Sequence, residues 1–164
     1  MNLRALTENR GFPWMAAAAR VAAGGPLAFS GFMKLMSPPE ELALTMEAYR
    51  ILPFSLIPPF ARLMPWGELF VGAYLVVGFF IRLSGTLAAG FYCMFLTALL
   101  SAVVRGISLN ECGCFGQGGP HLSGWGAITL DAFLLLFALA ALLDRRHYLS
   151  LDRLHLRQKG PLPE

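Results

Sequence analysis

Residues 83–104 read LSGTLAAGFYCMFLTALLSAVV, a run with no charged side chain anywhere along it. A membrane-spanning helix needs about 20 predominantly apolar residues at ~1.5 Å per residue, and this run has the length and the composition. Arg105 ends it, and Cys93 sits near its middle. The span decides the fold class, because the rest of the chain shares its character. Only 14% of the 164 residues are charged, 56% are hydrophobic, and the mean hydropathy is +0.58. A soluble domain carries about a quarter of its residues charged. The chain therefore reads as an integral membrane protein of one domain.

Working outward, Arg82-Leu83-Ser84 reads as a very short turn, making the preceding span, 60–81, an antiparallel neighbour. That span opens with Leu63-Met64-Pro65-Trp66-Gly67-Glu68-Leu69, with Trp66 suited to an interfacial belt. Downstream, a further apolar run covers 125–143 and carries Asp131. Upstream, an Ala-rich run covers 14–36. Arg20 breaks up the core that a cleaved signal peptide would need, and it is expected to snorkel to the near surface. Gly24, Gly25 and Pro26 predict a kink or a close helix contact. Between the first two runs, Pro38 and Pro39 stop one helix, and Glu40 to Leu52 reads as a short amphipathic helix. The expected fold is an all-α integral membrane bundle of four antiparallel helices, with a short helical or broken segment between spans one and two. Gly72, Gly78, Gly85, Ala88 and Ala89 are expected to let those helices approach closely. The single membrane domain covers 14–144, and 145–164 form a basic tail.

Four spans put both termini on one face. Arg4, Arg10, Arg20, Arg82 and five tail residues lie on it, nine in all, against Lys34, Arg50, Arg62 and Arg105 on the other. The bias towards Lys and Arg in cytoplasmic loops places both termini in the cytoplasm of a bacterial inner membrane. Because the basic residues sit at the ends of apolar runs, the net charge of +3 does not call for nucleic acid. The basic tail, with Leu149, Leu151, Leu154 and Leu156, reads equally as a segment held against anionic lipid or as a solvated one.

The loop between the last two spans then faces a periplasm-like compartment, where disulfides persist. It contains NECGCFGQGG, Asn110–Gly119. Disulfide-bonded Cα atoms lie about 4.4–6.8 Å apart, so bridging Cys112 and Cys114 demands a tight turn, which Gly113 permits. A strained, exposed disulfide belongs to the labile, catalytic kind. The competing reading is a metal site with His121 as third ligand, but two cysteines and a histidine at this spacing match no common zinc pattern. The bland reading is a pair of idle cysteines. Glu111 opposes thiolate formation at its neighbour and Arg105 favours it, a balance that distances decide. Because Phe115 and Gly116 leave one flank open for a partner while Glu111 sits beside Cys112, Cys114 is expected to be the attacked sulfur and Cys112 the resolving one. Cys93 reads as an inert, buried small hydrophobe.

Charges inside spans are costly and mark functional sites by default. Lys34, Glu68 and Asp131 all fall on the loop side of the bilayer, where they are expected to form a polar pocket or a structural clasp. Phe29, Phe32, Phe79, Phe80 and Phe91 are of a kind that lines quinone sites. Membrane helices are full of such residues, so no cofactor is assigned, and a quinone is kept only as a candidate.

Ser30-Gly31-x-x-Lys34, Leu63-x-Pro65-Trp66-x-Glu68-Leu69, Cys112-Gly113-Cys114-Phe115-Gly116 and Asp131 together resemble the methylamine-utilisation MauE family, within the DoxX-like four-helix membrane proteins. The resemblance covers about 14–144. It implies a role in maturing the disulfide-rich small subunit of methylamine dehydrogenase, beside a thioredoxin-like periplasmic partner. The alternative class is a non-enzymatic scaffold or small-solute transporter whose Cys-Gly-Cys loop is a structural staple or metal clip.

Overall fold

The computed structural model describes residues 12–106 and 124–143. These fold into α1 (Phe12–Met36), α2 (Pro39–Tyr49), a single 3-10 turn (Phe54–Leu56), α3 (Ile57–Val77), α4 (Ile81–Val104) and α5 (Gly124–Leu143). The described residues contain no strand, so the all-α expectation holds. Three stretches are long and apolar enough to cross a membrane: Phe54–Val77, Ile81–Val104 and Trp125–Leu142. At 25 residues α1 has the length, but Arg20, Gly24, Gly25, Pro26 and Lys34 dilute its apolar character.

What holds the bundle together follows from size rather than polarity. In lipid there is no hydrophobic drive between helices, so close packing of small residues takes its place. Large side chains such as Leu83, Leu87, Phe133 and Leu136 point outward, while Ala23, Ala88, Ala138 and Ala141 fill the centre with Leu27 and Leu75. The most extensive contact is α1 against α3, followed by α4 against α5. Glycines set the first of these. A Cβ on Gly72 would lie 2.4 Å from the Ala28 nitrogen and 2.6 Å from the Gly24 carbonyl oxygen. The expected close contact at Gly24 is therefore real, while Gly25 beside it faces open space.

Several boundaries differ from the sequence reading, for local reasons. The turn between α3 and α4 lies at Gly78–Phe80, not at 82–84. Gly78 takes a left-handed conformation (φ 76°), and its N–H and that of Phe79 both close on the Tyr74 carbonyl at 2.9 Å. That is how a helix commonly ends on glycine, so Gly78 terminates a helix instead of lining a helix contact. Ser84 is already inside α4, its hydroxyl donating to the Phe80 carbonyl at 3.0 Å. The amphipathic α2 begins on Pro39 with Glu40 and Glu41 in its first turn, where proline and negative charge both suit a helix start. It ends at Tyr49, three residues before the expected Leu52, because Arg50 is left-handed (φ 50°).

Two residues sit elsewhere than expected. Cys93 is exposed on the outer surface of α4, not buried. Arg20 is buried (2% exposed) and does not snorkel to the surface. The phase of α1 explains it: Arg20, Ala23, Leu27, Ser30 and Lys34, spaced three and four apart, form one buried stripe.

Candidate functional site: a buried ion pair between α1 and α3

The motif Ser30-Gly31-x-x-Lys34 works as a unit. Ser30 and Lys34 are four apart and share one face of α1, and Gly31 removes the side chain that would hold α3 away. A Cβ at Gly31 would lie 2.5 Å from the Leu69 nitrogen and 2.7 Å from the Pro65 carbonyl oxygen. On α3, Ile57, Ala61, Pro65, Glu68, Gly72 and Leu75 are buried at helical spacing, which aims Glu68 at that gap.

Helical side chains lean towards their own N-terminus. In the antiparallel pair, Lys34 leans down from near the end of α1 and Glu68 leans up to meet it. The ammonium lies 2.7 Å from Glu68 Oε1 and 2.9 Å from Oε2, and the Ser30 hydroxyl donates to Oε2 at 2.8 Å. Lys34 and Glu68 are 5% and 0% exposed, so the pair is enclosed by protein. Lys34 Nζ also stands 4.8 Å from the centre of the Phe95 ring, a cation–π contact from α4. The expectation that Lys34 pairs with a carboxylate is met by Glu68.

Asp131 is likewise buried (4% exposed), on α5. Tyr92 of α4 is also buried (2% exposed). The Tyr92 hydroxyl donates to the Ala23 carbonyl of α1, one residue from the carbonyl that Pro26 deprives of its helical N–H partner. Such a side-chain donor steadies a proline-interrupted helix in lipid. The sequence reading does not single out Tyr92, and it places Arg20 at the surface where the structure buries it. Arg20 was traceable from its register with Lys34, whereas nothing local to Tyr92 marks its long-range bond.

Arg105, expected to bear on the cysteines, donates to the Tyr49 and Arg50 carbonyls at 3.3 Å each. It thereby ties the end of α4 to the C-terminal end of α2, where a cation suits the helix dipole. The aromatic residues suggested for a quinone do not converge. Phe29 and Phe32 are exposed on α1, Phe79 and Phe80 lie at the α3–α4 turn, and Phe91 packs over Gly67. Cys112, Cys114, Glu111, His121 and the tail lie outside the described residues. Among the described residues, no group of three or more potential ligands could hold a metal ion.

Fold and site together define a class: a helical multi-pass membrane protein whose first helix is locked to the next long one by a buried lysine–glutamate pair. The family model for "Methylamine utilisation protein MauE" matches residues 12–144, and the chain belongs to that family. Two curated proteins named "Methylamine utilization protein MauE" are similar to it. The one from Methylophilus methylotrophus is 36% identical over 88 residues, covering 54% of this chain and 46% of its own length. The one from Methylorubrum extorquens is 35% identical over 106 residues, covering 63% of this chain and 57% of its own. The chain thus spans about half the length of the curated relatives it matches. No solved structure matches.

Proposed function

We propose that this protein is a membrane-embedded thiol–disulfide exchange protein of the inner membrane, with Cys112 and Cys114 as its redox couple. The loop faces the periplasm and both termini face the cytoplasm. Its place in methylamine utilisation is the maturation of a disulfide-bonded periplasmic client, the small subunit of methylamine dehydrogenase, with a thioredoxin-like partner. One observation carries the reading: two cysteines flank a single glycine in the segment joining the end of α4 to the start of α5. That is the end of the bundle at which Arg105 clamps α2. The supporting residues are Lys34 and Glu68, whose pair fixes α1 on α3, and Asp131 on α5.

The exchange balances without a further reactant. A partner thiolate attacks Cys114 Sγ, a mixed disulfide forms, and Cys112 leaves as a thiolate. The partner's second thiolate then resolves the intermediate, so two electrons and two protons move from dithiol to disulfide. In the reverse flow the Cys114 thiolate opens a partner disulfide, the same mixed disulfide forms, and Cys112 resolves it, so removing Cys112 leaves that intermediate in place. The enclosed ion pair equally suits a scaffold or a small-solute transporter, in which the loop would be a staple or a metal clip.

Parallel Cys112→Ser and Cys114→Ser variants, examined on non-reducing gels of native membranes, separate the two. A trapped adduct with Cys112→Ser is expected. An adduct only with Cys114→Ser reverses the assignment of roles. Full activity in both variants with no adduct makes the scaffold or transporter the correct reading.

A further inference from the structure

A cavity of about 180 Å³ lies between α2, α3 and α4, with Lys34 in its wall. Leu42 and Met46 of α2, Met64 of α3, and Met94 and Ala98 of α4 make the enclosure almost wholly apolar. Three lining residues carry hydroxyls, Thr45, Tyr49 and Thr97, and the two threonines are turned back on their own helices: Thr45 donates to the Glu41 carbonyl at 3.0 Å and Thr97 to the Met94 carbonyl at 2.8 Å. Lys34 is different. An ammonium has three N–H donors, and its bonds at 2.7 and 2.9 Å account for two, both on Glu68. Among the described residues no hydrogen bond takes the third, and the Phe95 ring, itself part of the cavity wall, stands 4.8 Å from Nζ.

These features select a ligand. A void of ~150 Å³ is enough to hold benzene, so this one accommodates a single six-membered ring with small substituents. Water is a poor occupant, since it requires two to four polar partners. An anion is disfavoured because Glu68 already neutralises Lys34, and a second negative charge in apolar surroundings would have no counter-ion. A plain alkyl chain fills the space but leaves the Lys34 donor unanswered. An uncharged hydrogen-bond acceptor meets every condition. The exposed Ile51 and Phe60 also line the cavity, leaving a way out to lipid for an attached chain.

We propose that this cavity binds an uncharged, single-ring carbonyl compound with an apolar tail, the chemistry of a membrane quinone headgroup. A ring carbonyl accepts the third Lys34 N–H, and the tail leaves past Ile51 and Phe60. The cavity wall includes none of Phe29, Phe32, Phe79, Phe80 and Phe91.

The test uses the full chain in nanodiscs of synthetic phosphatidylcholine, titrated calorimetrically with decylubiquinone. Saturable one-to-one binding is expected, with the quinone carbonyl stretch moved to lower wavenumber. Dodecylbenzene, a ring and tail without the carbonyl, should bind about tenfold more weakly, as fits the loss of one hydrogen bond to a charged donor. Ala98→Phe fills the cavity from α4 and Leu42→Trp from α2, so a folding defect in one leaves the other to report. Either should remove saturable binding while leaving the Lys34–Glu68 pair intact. Linear partitioning unaffected by the filled variants would overturn the proposal. So would equal affinity for dodecylbenzene, or a co-purified phospholipid that decylubiquinone does not displace.

Discussion

Replacing Lys34 with methionine leaves the Glu68 carboxylate, 0% exposed, without the cation that stands 2.7 Å away. Removing one partner of a buried ion pair costs about 3–5 kcal/mol, because the remaining charge is stranded. The total stability of a domain is about 5–15 kcal/mol, so Lys34→Met is expected to bring the protein close to unfolding. Glu68→Leu should cost a similar amount, since it strands the ammonium beside Phe95. Together they behave differently. The double variant strands neither charge; it forfeits the Ser30 bond, worth about 1.5–3 kcal/mol when the partner is charged, and the weaker cation–π contact with Phe95. Its stability should therefore exceed that of either single variant, with a coupling energy of about 3 kcal/mol or more. Reversible unfolding in mixed micelles, followed by far-ultraviolet circular dichroism, measures all four corners of the cycle. If each single substitution costs under about 1 kcal/mol, or the double variant loses the sum of the two, the pair is not the clasp described.

Gly72→Ala should push α1 from α3 and lower stability by about 1–3 kcal/mol as an overpacking change, since its Cβ would sit 2.4 Å from backbone nitrogen. Gly25→Ala meets nothing within 4 Å and should be neutral or stabilising by up to about 1 kcal/mol; the same unfolding assay distinguishes them. Tyr92→Phe removes the bond to the Ala23 carbonyl and should cost about 0.6–1.7 kcal/mol, the range for hydrogen bonds between membrane helices. Cys93, exposed on α4, should react with a lipid-soluble maleimide in the folded protein, and Cys93→Ala should change stability by less than about 0.5 kcal/mol.

The fold class was legible because the cost of placing charge in lipid makes an uncharged run such as 83–104 unambiguous. The ion pair was legible for the same reason, with Lys34 and Glu68 conspicuous against their apolar surroundings. The turn was not. Arg82 draws the boundary towards itself, although a long cationic side chain can reach the headgroup layer from inside the first turn, against the helix dipole, and Gly78 ends α3 where its small size suggests a packing residue. Distance along the chain puts Arg20 near the surface, whereas its angular register puts it in line with the buried Lys34. Cys93 was misjudged because lipid exposure and burial ask for the same apolar residues. The cavity beside Lys34 had no signature at all. It arises where α2, with no fully buried residue of its own, is drawn over α3 and α4 by the Arg105 bonds to its last carbonyls.

The central claim, that Cys112 and Cys114 form a working redox couple, is tested most directly by their midpoint potential. The full-length protein, equilibrated in glutathione buffers, acid-quenched and alkylated, reports the oxidised fraction of the pair by mass. A single two-electron transition is predicted at about −270 to −180 mV, between thioredoxin and the disulfide isomerases. A potential below about −300 mV, the mark of a structural staple, or two thiols that never pair at any potential would contradict it.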